Sequence, residues 1–417
     1  MCKKTIYLFL LLLFNVFVQA QPPDNRAIDE IRIDPTYART GAASLFFKEV
    51  KFIPLQSTGA SFVGKIDKLE LHNEQFVILD RESDAISIFK KDGAFVAKIT
   101  SLPGVEKSRK AYAPELISNF CIDNEQNAIV VSTRYDRSKL FLFDFKGQFL
   151  NKWYYVPRMT GDFITIGKDR LATRPLLPVR VTTREGKEEV RDEGCDPYSL
   201  FVTATDSTVL QKLLPIDLKK VPKENESLGY YKNFNYSGVP GKVFFRRFFD
   251  YHFYEVSANG IDKEYSLVFP KYKSLPPNFF SDSARNRQRF FKFQGIFFAI
   301  DEVFRVGNIF SFSLSIMGPV TDSKADLLYH EKTGNSVYLG GVTPDPLTQF
   351  LPAFNIGDDI LACDGASFYG CVPSYQLHAA KERMKNQSFN NVMENYFKNS
   401  TSQSNPVIVQ WVPKDDF

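Results

Sequence analysis

The feature that most constrains this chain is a unit of short apolar runs that recurs at a fixed period. Phe76-Val77-Ile78-Leu79-Asp80, Ile86-Ser87-Ile88-Phe89, the turn Lys91-Asp92-Gly93 and Phe95-Val96-Ala97-Lys98-Ile99 form its first copy. Ala128-Ile129-Val130-Val131, Leu140-Phe141-Leu142-Phe143, Lys146-Gly147 and Phe149-Leu150-Asn151-Lys152-Trp153 answer it element by element. The turn glycines Gly93 and Gly147 stand 54 residues apart. Each run is β-branched or aromatic and is bounded by Asp, Asn or Gly, which is the pattern of strands. Asp-Gly and Lys-Gly supply the positive φ of a tight hairpin.

Weaker copies follow at Leu200 to Ser207, at Phe253 to Val256 with the turn Asn259-Gly260, and at Leu327 to His330 with Thr333-Gly334. A sixth begins at Phe354-Asn355-Ile356 and Ile360-Leu361-Ala362, is interrupted, and resumes at Val407 to Trp411. Four-stranded units that cannot bury their own faces stack radially, so the expected fold is all-β: a six-bladed β-propeller with a helical insertion in the last blade. Strands in the first blade are expected near 62–71, 74–80, 85–90 and 94–99. The run over 47–55 reads as a closing strand that pairs beside Val407 to Trp411 and joins the two ends of the chain. The 40 phenylalanines suit wedge-shaped gaps between sheets. A pair of β-sandwiches is the rival architecture.

The runs Val50-Lys51-Phe52-Ile53-Pro54-Leu55, Gly64-Lys65-Ile66-Asp67 through Lys91-Asp92-Gly93, and Asn405-Pro406-Val407-Ile408-Val409 resemble a six-bladed β-propeller family of exported Bacteroidetes proteins. That family is similar in turn to NHL-repeat propellers. The resemblance covers most of 45–413 and implies a fold and an envelope location, with no catalytic residues to carry over. Many relatives look like lipoproteins, but here Cys2 lies before the apolar core.

Lys3 and Lys4 precede an apolar run from Ile6 to Val18, and Val18-Gln19-Ala20 carries small residues where a signal peptidase reads. Residues 1–20 therefore read as a signal peptide, 21–44 as an N-terminal linker and 45–413 as the propeller. The alternative, a membrane anchor, conflicts with the shortness of the apolar run, since spanning takes about 20 residues. The mature chain is expected to be soluble, periplasmic or extracellular, with no membrane span. Without its leader it carries 50 basic and 48 acidic residues, which argues against nucleic acid as a partner. Cys121, Cys195, Cys363 and Cys371 are too few for a disulfide scaffold. Cys363 and Cys371 are near enough to bridge, and buried free thiols fit equally well.

In a propeller the links between a blade's second and third strands share a face with the links to the next blade. Three excursions fall on that face: about Arg174 to Pro197, Pro270 to Phe291, and Asp364 to Asn405. Long loops on a rigid scaffold carry function or solvate freely. The last contains Leu377, Ala380, Met384, Phe389, Met393 and Phe397 at helical spacing, with Ser374 as a cap, and reads as a lid or a partner-binding helix. Near the same face lie Arg134 and Arg137, then Arg246, Arg247 and Tyr251, then Arg285 and Arg287. Guanidinium groups suit anions, and aromatic rings suit sugars or cations. These seven are the candidate ligand-binding residues.

Catalytic signatures are sparse. Ser367 misses the Gly-x-Ser-x-Gly elbow, the histidines His72, His252, His330 and His378 are scattered, and no Cys-x-x-Cys pair suggests zinc. Asp123 to Asn127 lacks calcium-loop spacing and fits a turn. The expected function is thus a binding or scaffold module for an anionic or sugar-like ligand or an envelope protein, with no cofactor. The alternative is a propeller lyase or hydrolase with calcium or paired carboxylates in the central channel.

Overall fold

The computed structural model describes residues 27–103, 117–134, 138–157, 159–182, 188–191, 195–216, 232–247, 249–276, 279, 292–318, 323–354, 360–384 and 387–417. The leader expected over 1–20 lies outside them. The described part of the chain begins on the rim with β1 (Ile28–Arg32), β2 (Arg39–Ala42) and β3 (Phe47–Pro54). Blade one follows as β4 (Lys68–His72), β5 (Gln75–Asp80), β6 (Ala85–Lys90) and β7 (Phe95–Ile99). Blade two is β8 (Ile117–Asp123), β9 (Ala128–Thr133), β10 (Lys139–Phe143) and β11 (Phe149–Tyr155).

Blade three is β12 (Met159–Gly167), β13 (Arg170–Pro175), β16 (Tyr198–Ala204) and β17 (Val209–Pro215). Between its second and third strands rises a separate hairpin, β14 (Val179–Thr182) and β15 (Glu188–Arg191). Blade four is β18 (Phe234–Tyr236), β19 (Val243–Arg246), β20 (His252–Ser257) and β21 (Gly260–Val268). Blade five is β22 (Phe297–Val306), β23 (Ile309–Ile316), β24 (Ser323–His330) and β25 (Ser336–Thr343). Blade six orders β26 (Ala362–Cys363), β27 (Phe368–Val372), β28 (Val407–Pro413) and then β3. First strands touch around a closed ring, β4 to β8, β12, β18, β22, β26 and back to β4. The molecule is a six-bladed β-propeller.

The strongest strand signals have a simple cause: a middle strand of a blade is buried on both faces. In β5, Phe76 and Ile78 pack toward blade six while Val77 and Leu79 pack toward blade two. In β9, Ile129 and Val131 face blade one, whereas Ala128 and Val130 face blade three. Side chains alternate along a strand, so burial on both sides gives a continuous apolar run.

The seam joins the chain ends. Strand β28 pairs antiparallel with β3 from Val407↔Pro54 to Pro413↔Phe47. Asn405 ties it to blade one, accepting from the Val63 N–H at 2.8 Å and donating to Gln56 O (2.9 Å) and Ser61 O (2.8 Å). Gly93, at φ +90°, lies so close to Pro54 that a Cβ would sit 2.0 Å from the Pro54 carbonyl oxygen. Only glycine fits there.

Two stretches differ from the sequence reading. Residues 21–44, read as a linker, carry β1 and β2, which add in parallel to the outer strands of blades four and five (Ile28↔Glu264 to Arg32↔Val268; Arg39↔Val337 to Ala42↔Thr343). Ile31 and Ile33 anchor this belt among Phe253, Tyr265 and Phe269. Such rim strands pack one face only, so their sequence lacks a long apolar run. The blade-six interruption, read as 364–405, begins later, because Phe368–Val372 is the blade's second strand and Ala362–Cys363 its first. Gly365 and Gly370 had disguised that hairpin as loop. The insertion proper, 373–406, holds α1 (Ser374–Arg383) and α2 (Asn391–Asn399).

Leu377, Ala380, Met393 and Phe397 pack with Phe47, Val50 and Leu351, so these helices cover the rim of blades five and six. Ser374 does not cap α1; its hydroxyl donates to Asn405 O at 2.5 Å, and Asn390 caps α2 through the Met393 N–H (3.0 Å). No disulfide joins any two of Cys121, Cys195, Cys363 and Cys371. Among the described residues no helix is long and apolar enough to cross a membrane.

Candidate functional site: a blind central channel

An innermost strand leaves one edge of backbone N–H and C=O groups unpaired, and burying them without partners is costly. Here side chains from the neighbouring blade satisfy them. Lys68 donates to the Phe120 carbonyl (2.5 Å), and Glu70 accepts from the Ile122 N–H (3.0 Å). Thr165 donates to Ile122 O (2.6 Å), Asp162 accepts from the Asn233 N–H, and Asn235 accepts from the Val303 N–H (3.3 Å). The lacing runs through blades one to five.

Where the inner strands begin, it thickens into a buried polar layer. Asn119 bridges Lys68 (3.2 Å) and Asp162 (3.0 Å), and Arg174 donates to Asn233 Oδ1 (2.9 Å). Arg246, 1% exposed, sends its guanidinium to the carbonyls of Lys232, Ile300 and Asp301 and to Asn235 Oδ1. Burial pushes the Asp162 carboxyl up, against the pull of the Asn233 N–H, Lys68, Arg246 and Arg174. Burial lowers Arg246 to about 10, which leaves it charged at neutral pH. Burial opposes the Lys68 ammonium as well, but Glu70 and further neighbours, Asp162 among them, together outweigh it and its pKa is raised.

Beyond that layer the channel widens into a cavity of about 410 Å³, lined by first strands of all six blades. Its walls include Lys68, Glu70, Thr165, Lys232, Asn235 and Tyr236, and its rim is made of first-to-second-strand turns such as Asn73, Asn124, Glu125 and Gly241. Those turn residues are exposed, so the cavity opens to solvent there. This is the face opposite the long excursions. Links between second and third strands leave from that other face, and there, among the described residues, the buried polar layer lies across the channel.

The candidate residues separate accordingly. Arg246 belongs to the layer and presents nothing to an outer surface. Arg247 lies nearby but pairs with Asp250 (Nε to Oδ2, 2.7 Å) and donates to the Tyr254 hydroxyl (3.1 Å). Tyr251 donates to Phe297 O (2.6 Å) and accepts from the Leu275 N–H (2.7 Å), holding the link into blade five. Arg134 is exposed on the blade-two turn. Arg137, Arg285 and Arg287 lie outside the described residues. The structure thus brings Arg246 and Arg247 close only along the chain, and neither lines the cavity.

Sequence reasoning missed Lys68 and Glu70 of blade one and Tyr236 and Lys242 of blade four, polar residues that no local motif joins. The available signal was periodic: Lys68, Glu70 and His72 alternate with Leu69 and Leu71, a polar stripe on a strand that belongs at the axis. Asp123, read as a turn residue, does cap its turn, accepting from Glu125 N (3.0 Å) and Gln126 N (2.9 Å). Among the described residues no group of three His, Cys, Asp or Glu side chains is placed to hold a metal ion.

The Arg247 cluster gives a pH test. A hydrogen bond from the His252 Nδ1–H to the Asp250 carboxylate (2.8 Å) raises the His252 pKa above its ordinary value, helped by the charges of Asp250 and Glu264. A raised histidine stabilises the fold below its unfolded pKa, and that contribution fades as pH rises through the folded one. Asp250→Asn should return the His252 titration, followed by NMR, to or below about 6.5. An unshifted titration would show that another group holds the proton.

Fold and channel together define a six-bladed propeller with a blind polar pocket on its axis. The chain belongs to the family described as domain of unknown function DUF4934, whose model matches residues 30–410. A Bacteroides fragilis protein described as exported superposes with a TM-score of 0.63 at 18% identity, over 93% of this chain and 100% of its own. A DUF4221-family protein from Bacteroides vulgatus gives 0.48 at 10% identity, over 88% and 98%. At these identities the likeness concerns the fold alone. No curated protein matches the chain.

Proposed function

We propose that this protein is an exported binding module that takes a small polar ligand into the channel from the turn face. One observation carries the reading: all six blades line one cavity of about 410 Å³, with exposed turns at one end and, among the described residues, a buried charged layer across the other. That volume falls in the range of about 300–1,000 Å³ typical of small-ligand pockets. Export rests on the basic, short-apolar leader ending at Val18-Gln19-Ala20 and on the exported description of the Bacteroides fragilis relative.

The test uses protein recovered from the envelope of an exporting host, where its first residue should be at or near Gln21. Incubated with a mixture of polar metabolites and glycan digest, then desalted, the protein should retain a small molecule detectable by mass spectrometry. Thr165→Trp, which fills the channel wall, should lose it while keeping the circular dichroism spectrum. Equal retention by the two proteins, or none by either, would overturn the channel as the binding site.

A further inference from the structure

Resting on the channel reading, the charge arrangement of its lining narrows the ligand class. Four lysines line the cavity, and each already has a carboxylate. Lys68 pairs with Glu70 at 2.8 Å and Lys232 with Glu302 at 2.9 Å. Lys242 lies between Glu255 (3.1 Å) and Asp262 (2.8 Å), and Lys91 between Asp364 (3.7 Å) and Glu74 (3.8 Å). Six carboxylates thus surround four ammonium groups. An anionic ligand would meet a carboxylate already seated at every lysine it approached, and two at Lys91 and Lys242. A cationic one would compete at these six carboxylates with ammonium groups tethered beside them, and Asp123 in the wall is taken by the Tyr154 hydroxyl (2.6 Å) and its own turn, which leaves the exposed rim residue Glu125.

What stays available is neutral hydrogen-bonding capacity. Asn73 and Asn124 each use one half of the amide on His72 (2.9 Å each), which is held by stacking on Phe145, and keep the other half for a ligand. Thr165 gives its proton to Ile122 O and keeps acceptor capacity. Tyr236 adds a half-buried phenol whose pKa burial raises, so it remains a protonated donor at neutral pH. An apolar ligand would strip water from these groups without replacing the bonds, at a cost. We infer that the channel takes an uncharged polyhydroxylated ligand of mono- or disaccharide size, recognised through Tyr236, Asn73, Asn124 and Thr165.

The experiment is calorimetric titration of the mature protein with neutral sugars (methyl glucoside, N-acetylglucosamine, maltose) and charged counterparts (glucuronate, glucose 6-phosphate, glucosamine). A neutral sugar should bind at least tenfold more tightly than any charged relative, and Tyr236→Phe should weaken it about tenfold. Tighter binding of glucuronate or the phosphate, abolished by Lys91→Gln, would overturn the uncharged class and leave the channel reading standing. Failure of every sugar to bind would likewise overturn the class, while the retention test with Thr165→Trp judges the channel independently. Sugar binding that neither Tyr236→Phe nor Thr165→Trp changes would place the site elsewhere and sink both.

Discussion

Deleting residues 405–417 should abolish the cooperative thermal transition of this protein. The segment contains β28, which pairs on one side with β27 and on the other with β3. Its removal therefore takes one strand physically and leaves β3 with no sheet to join. Trp411, wholly buried and stacked on Phe354 at 4.9 Å, goes with it, as does Phe417, buried beside Phe46. Two large aromatic side chains lost from a core cost about 3–5 kcal/mol each when truncated singly, and net stability of a domain is only about 5–15 kcal/mol. The ring then opens at its seam and exposes strand edges that invite aggregation. A finer version of the experiment is Asn405→Ala. It leaves every strand in place but orphans the Val63 N–H and the Ser61 carbonyl, while Gln56 O keeps only the Ser61 hydroxyl (2.7 Å). About 1–3 kcal/mol for each unsatisfied buried group predicts a loss of several kcal/mol from this one side chain. A deletion protein with an unchanged melting transition would refute closure through this seam.

That closure was legible because a strand with two partners carries its pattern on both faces. Val407, Val409 and Trp411 pack toward blade five and the helices while Ile408 packs toward blade one, so the run is apolar but for Gln410. The belt strands were not legible for the converse reason. β1 keeps one face to solvent, and its burial rests on Ile31 with Ile33 just beyond, too few residues to set a period. The channel was harder still. Lys68, Asn119, Asp162 and Asn233 come from four blades, and nothing local marks any of them as a neighbour of the others. Arg246 shows how a local reading goes astray. Among Phe244, Phe245 and Phe249 it looks like part of an aromatic-basic surface, yet it stands two residues after Phe244 on the same strand face. A residue in phase with a wholly buried phenylalanine at a strand end points inward, and an inward arginine needs acceptors. The inner edge of the next blade provides them.

Arg246→Ala should consequently act on stability rather than on ligand affinity. The side chain donates to the carbonyls of Lys232, Ile300 (3.1 Å from Nε) and Asp301 and to Asn235 Oδ1, and its charge faces Asp162, Asp301 and Glu302. Truncation takes this donor from the three carbonyls, leaves Asn235 Oδ1 with only the Val303 N–H, and leaves those carboxylates short of a cation in a buried site. Breaking a buried charge network by removing one partner costs about 3–5 kcal/mol. Arg246→Lys should recover only part of this, because a compact ammonium cannot span acceptors arranged around a planar guanidinium fork. Arg247→Ala is the control: its carboxylate partner Asp250 keeps His252, and the arginine is 30% exposed. Partly exposed ion pairs of this kind contribute about 0–1 kcal/mol. Denaturant unfolding of the three variants separates the roles, and ligand titration below the unfolding transition should give affinities within about twofold of one another. If Arg246→Ala unfolded like the native chain but bound ligand tenfold more weakly, the charged layer would be part of the binding site and the channel would not be blind.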